Sequence, residues 1–161
     1  MNAAFARFAE AVGASSFGQW ASGSALAYPL ANVIHLFGLV MLIGAIGIVD
    51  LRLMGVFRAI PAASLYRSLI PIAVVGLVLM VPSGATMFAA DAQAMAGSTV
   101  FRWKITLVTV AIANAVAFHI LWRRRIDHWD AAPPVVGRLM AAGSLMLWLT
   151  IGALGRMIAY S

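Results

Sequence analysis

The sequence predicts an all-α integral membrane bundle: four transmembrane helices preceded by a short interfacial amphipathic helix. Three observations carry this. First, 63% of the 161 residues are hydrophobic and only 10% are charged, too few polar side chains to cover a soluble domain. Second, four apolar runs, at about 30–56, 65–89, 101–122 and 135–158, each reach the roughly 20 residues that a helix needs to cross about 30 Å of hydrocarbon. Third, the runs are continuous, without the period-2 alternation of barrel strands. The loops between them are short, so residues 1–161 read as one transmembrane domain in which 1–27 is an interfacial segment.

The N-terminal stretch "MNAAFARFAEAVGASSFGQW" has too weak an apolar run for a signal peptide and carries Glu10 where its core would be, so it is expected to stay attached. Phe5, Phe8 and Val12 recur at helical spacing opposite Arg7 and Glu10, which predicts a short amphipathic helix lying on the outer membrane surface. Pro29 suits the first turn of the first span, where its missing N–H is unpaired in any case. Along that span Ala31, Gly38 and Ala45, flanked by His35, Leu42 and Val49, form a small-residue face for a neighbouring helix. Gly76, Ser83 and Gly84 do the same in the second span, which Pro82 should kink. In the third, "FRWKITLVTVAIANAVAFH" places Lys104, Ala111, Ala115 and His119 on one inward stripe, with Asn114 at its side. Ala141, Ser144, Trp148, Gly152 and Gly155 form the equivalent stripe of the fourth.

The net charge of +6 reflects topology and gives no reason to expect a nucleic-acid partner. Arg52, Arg58 and Arg67 flank the first loop, and Arg123, Arg124, Arg125 and Arg138 the third, whereas the middle loop has no basic residue. The positive-inside rule therefore places loops one and three in the cytoplasm and both termini in the periplasm, for a multi-pass protein of the bacterial inner membrane. The arginine run 123–125 reads as an anchor facing anionic lipid. Trp103 at one end, with Trp122 and Trp129 at the other, fits two aromatic belts. The chain has no cysteine, which excludes disulfides, iron–sulfur clusters and thiolate metal sites.

Ionisable groups inside spans are costly, and each asks for a partner or a function. Depth sorts them into two layers about 22 Å apart along the helix axes. The outer layer holds His35, Lys104, Ser83, Thr86 and Arg156; the inner holds Asp50 and His119. An imidazole on a small-residue face with cations at its depth is what a haem b site requires: His35 for the iron, with Lys104, Arg102 and Arg156 for the propionates. The second iron ligand is left open between none, a methionine such as Met87 or Met157, and a second chain. The alternative is a His35 that only hydrogen-bonds Ser83, Thr86 or a backbone carbonyl between helices. In the inner layer a surface salt-bridge network of Asp50 with Arg52 and the arginine loops, joined by His119, explains both residues, although His119 also enters as a metal ligand. Nine methionines with an imidazole would suit copper, but their scatter is that of packing residues.

The stretches "YPLANVIHLFGLVMLIGAIGIVDLRLMG", "VPSGATMFAADA" and "GRLMAAGSLMLWLTIGALGRMIAY" resemble, over nearly the whole chain, an uncharacterised family of small four-helix bacterial inner-membrane proteins. A first-span His35, a Lys104 opening the third span and His119 near that span's end are similar to two further groups. These are the four-helix, haem-b-binding bacterial protoporphyrinogen oxidase and the membrane domain of copper-resistance proteins. In the oxidase the histidine and lysine are the functional pair, so that resemblance implies haem b at His35 and Lys104. The expected function is thus a haem b redox or electron-transfer component. The rivals are a copper-handling domain and an accessory subunit packed on a larger membrane complex or a homo-oligomer through its glycine faces.

Overall fold

Capping residues in the sequence set the helix boundaries. The computed structural model describes residues 3–158, in the order α1 (Ala3–Ala14), α2 (Ser16–Gly23), α3 (Ala27–Met54), α4 (Ala62–Ala90), α5 (Ala92–Gly97), α6 (Thr99–Trp122), a 3₁₀ turn (Ile126–His128) and α7 (Val135–Met157). Residues 1–2 and 159–161, to which the expected placement of the termini refers, lie outside the described residues. Ser15 caps α2 by accepting the Gly18 N–H at 3.1 Å, and Ser98 caps α6 by accepting that of Phe101 at 3.3 Å. Pro29 falls in the first turn of α3, as expected. Gly55, at φ 110°, ends α3: the Val56 N–H reaches back to the Leu51 carbonyl at 2.9 Å, a left-handed cap that favours glycine.

The helices α3, α4, α6 and α7 are each long and apolar enough to cross a membrane. They run up, down, up and down: α3 packs on α4 and α7, and α7 packs on α6. The α3–α4 contact is the closest, because Gly38 crosses Gly76. A Cβ on Gly38 would lie 2.7 Å from the Gly76 carbonyl oxygen, and one on Gly76 would lie 2.6 Å from that of Gly38. Here the small-residue face read in the sequence is consumed within the chain. The α4 and α6 helices meet instead through large side chains, Tyr66 against Phe118 at 6.1 Å and Phe88 stacked on Phe101 at 5.4 Å. The central core joins Leu42, Ala45 and Ile46 to Ala73, Met80, Ala111, Trp148 and Ile151.

One expectation is extended and another corrected. The amphipathic helix expected from Phe5, Phe8 and Val12 is present as α1, and the Ser15 cap starts a second helix, α2, after it. Neither is a lone surface helix: α1 packs on α5 through Ala9, Ala92 and Ala96, with Phe5 and Phe8 on Phe88 at 6.4 and 6.3 Å, and α2 packs on α4. Trp129 is not in an aromatic belt. It is 2% exposed, donates its indole N–H to the Leu53 carbonyl at 3.2 Å, and fills the space over Gly137, where a Cβ would lie 2.5 Å from its ring. Trp103, near the start of α6, is 61% exposed.

Candidate functional site

Pro82 lies inside α4 and gives that helix no N–H to donate at its position. The hydroxyls nearby fold back on the helix: Ser83 donates to the Leu79 carbonyl at 2.6 Å and Thr86 to that of Pro82 at 3.0 Å. His35 comes in from α3 at this level, with its Nδ1 3.1 Å from both the Met80 carbonyl oxygen and Ser83 Oγ. A carbonyl can only accept, so the network assigns the proton to Nδ1. In a neutral ring the lone pair then lies on Nε2, which makes no hydrogen bond with a described residue. The interhelical bond that the simpler reading expected is therefore present, and it engages one of the two ring nitrogens.

Gly84 lies against the imidazole: a Cβ there would be 3.2 Å from His35 Cε1. Lys104, half-buried on α6, makes no hydrogen bond or ion pair among the described residues. Beside its Nζ is another glycine, Gly155 of α7, whose Cβ would lie 3.5 Å away. The predicted outer layer thus brings together His35, Ser83 and Lys104, each flanked by a residue without a side chain or with a small one. Other predicted members sit at its margin. Arg102 donates from Nη2 to Thr99 Oγ1 at 3.0 Å while its buried Nε has no partner. Arg156 is exposed at the end of α7. Met87 lies one turn of α4, about 6 Å, beyond Ser83 on the same face.

The opposite end differs from the expected network. Arg52, 5% exposed, pairs with Asp130 from the loop before α7, its Nη2 2.5 Å from Oδ1, and donates from Nε to the Ile60 carbonyl. The other oxygen of Asp130 accepts the Ala62 N–H at 3.1 Å. It thereby caps α4, whose own Pro61 offers no side-chain cap. Arg67 pairs with Asp127 at 2.7 Å. Asp50 takes no part, because residues two apart on a helix point about 200° apart. It is 5% exposed on the face toward α7, with its carboxyl toward the Ser144 hydroxyl and its Oδ2 unpartnered. His119 does not join the network either. It is exposed at the edge of α6, with its Nδ1 3.0 Å from the Tyr66 hydroxyl. Among the described residues no three His, Asp or Glu side chains gather as a metal cluster.

Sequence reasoning missed Asp130 and Tyr66; the Met80 carbonyl is the interhelical backbone acceptor that it expected without naming. Asp130 lies 78 positions from Arg52 and Tyr66 lies 53 from His119, and no local spacing marks either pair.

The chain belongs to a family described as a family of unknown function, DUF6644, whose model matches residues 5–161. No curated protein and no solved structure matches it. The likeness to the haem-binding oxidase and the copper-resistance domain accordingly rests on His35, Lys104 and His119 alone.

Proposed function

We propose that the chain binds haem b through Nε2 of His35 and serves as a redox or electron-transfer component of the bacterial inner membrane. The observation that carries this reading is the commitment of Nδ1–H to the Met80 carbonyl and Ser83, which leaves the Nε2 lone pair without a partner among the described residues. Iron-ligating histidines are held in this way, with the second nitrogen donating to fix the tautomer and turn the ring. Lys104, which makes no ion pair among the described residues, supplies charge for a carboxylate, and Arg102 and Arg156 lie toward the same end to do likewise. Gly84 and Gly155 keep the surroundings of both groups free of bulk. When bound, the haem would supply a one-electron couple whose potential follows from axial ligand, burial and nearby charge. The sidedness belongs to the same proposal: the arginine-rich end faces the cytoplasm and the α5 end the periplasm.

The test is colour. Full-length protein expressed in a haem-replete host and purified in mild detergent should show a Soret band with sharp reduced α and β bands. Colourless, iron-free protein refutes the reading, and copper in elemental analysis would put the copper-handling alternative in its place. Sidedness is checked by cysteine labelling: an impermeant maleimide should reach a cysteine at Gln93 but not one at Asp130 in intact spheroplasts, and the reverse pattern inverts the topology.

A further inference from the structure

At the arginine-rich end, Arg52, Gly55, Arg58, Trp129, Asp130 and Arg138 line a cavity of about 270 Å³. Its charges do not balance. The two oxygens of Asp130 are taken by Arg52 and by the amino end of α4, so that pair is neutral within the cavity. Arg58 and Arg138 remain, and neither makes an ion pair among the described residues. They nonetheless converge. The Nη2 atoms of Arg138 and Arg58 lie 3.0 and 3.3 Å from the position that a Gly55 Cβ would occupy. Arg58 is steered there by donating from Nε to the Gly55 carbonyl at 3.0 Å. Arg138 is brought there by the first turn of α7, with its Nε buried and unpartnered.

Two guanidiniums directed at one glycine repel each other, and the positive end of the α7 dipole on which Arg138 stands adds to that repulsion. The left-handed φ of 110° at Gly55 is the local feature that leaves the space between them free of a side chain. A bound anion would relieve both repulsions and occupy that space, and a tetrahedral oxyanion matches two planar forks best.

We propose that this cavity is a phosphate-binding site, with Arg58 and Arg138 as its ligands. Its place at the carboxyl end of α3 is also the depth of lipid head groups, so the phosphate can come from an anionic phospholipid or from a soluble phosphate. This inference does not depend on haem.

The test is a thermal-shift titration of the full-length protein in a neutral detergent, run with two probes. One is inorganic phosphate against chloride at matched ionic strength; the other is short-chain phosphatidylglycerol against phosphatidylcholine of the same chain length. A shift with phosphatidylglycerol alone assigns the site to a head group, and a shift with inorganic phosphate assigns it to a soluble phosphate; either supports the proposal. The Arg58→Gln/Arg138→Gln double variant should bind about tenfold more weakly or worse, as expected for lost charge-assisted bonds. It should nevertheless fold, since its change relieves repulsion. Arg123→Gln/Arg124→Gln removes as much charge outside the cavity and should leave affinity within about twofold. The proposal is overturned if neither probe shifts the melting temperature, or if the outside pair weakens binding as much as the cavity pair.

Discussion

The two ends of the bundle treat buried charge in opposite ways. At the arginine-rich end, the buried Arg52 is fully engaged by Asp130 and the Ile60 carbonyl, and one carboxylate joins α3 to the start of α4. At the α5 end, Lys104 has no hydrogen bond or ion pair among the described residues, and His35 has committed only Nδ1. The Arg52–Asp130 pair reads as a lock, in which both charged groups are satisfied within the chain and neither is left to a ligand; Arg58 and Arg138 beside it stand outside that lock. The α5 end retains free valence where hydrocarbon makes free valence costly. Since both ends have access to the same repertoire of side chains, the difference is a choice made by the sequence, and it can be broken from either side.

The largest effect should come from breaking the lock. Asp130→Ala leaves a buried guanidinium without its anion and the amino end of α4 without a cap. The carboxylate is 45% exposed, so water offsets part of the loss, and the expected destabilisation is about 2–3 kcal/mol. Unfolding of detergent-solubilised protein by a denaturing surfactant would measure it. A loss below about 0.5 kcal/mol would mean that the pair is a surface decoration and that the contrast between the ends is false.

Next in size is Lys104→Met, which replaces an ammonium with no hydrogen bond or ion pair among the described residues by an apolar chain of similar length. If the α5 end retains charge for a ligand at the expense of stability, ligand-free protein should become more stable by about 1–2 kcal/mol, less than the full cost of a mid-membrane charge because Lys104 lies near the helix end. The same variant should hold less haem. A stability that falls would show that Lys104 has a structural partner.

Why one end was legible in the sequence and the other was not follows from distance along the chain. The four spans, their small faces and the outer layer could be read because hydrophobic periodicity and depth are local properties: His35, Ser83 and Lys104 were assigned to one level by counting residues. The lock was misread because nearness in sequence made Asp50 the obvious partner for Arg52, although helix geometry turns the two apart and the true partner is a loop residue far downstream. Trp129 was misread for a related reason. An aromatic next to a charged loop looks like a belt residue until Gly137 is seen to leave it a socket. The division of the N-terminal segment was present in the sequence as Ser15 ahead of Gly18, a capping signal that the amphipathic pattern overrode.

The smallest effect in stability is also the sharpest in what it separates. His35 and His119 each make a side-chain hydrogen bond between helices, to Ser83 and to Tyr66 respectively. Substituting either by alanine should therefore cost a similar and modest amount, about 1 kcal/mol. Their remaining nitrogens differ. The His35 ring packs against Gly84, and its Nε2 makes no hydrogen bond with a described residue, whereas His119 is exposed at the edge of α6, about 22 Å away along the axis. His35→Ala should therefore abolish the Soret band while the fold is retained, and His119→Ala should keep the band and lose only the stability of the Tyr66 contact. Tyr66→Phe, which removes the same hydrogen bond from the other side, should match His119→Ala in melting temperature and leave the spectrum unchanged. Equal bleaching by His35→Ala and His119→Ala would make the two ends chemically alike, and would require either a second haem or a ligand donated by another chain.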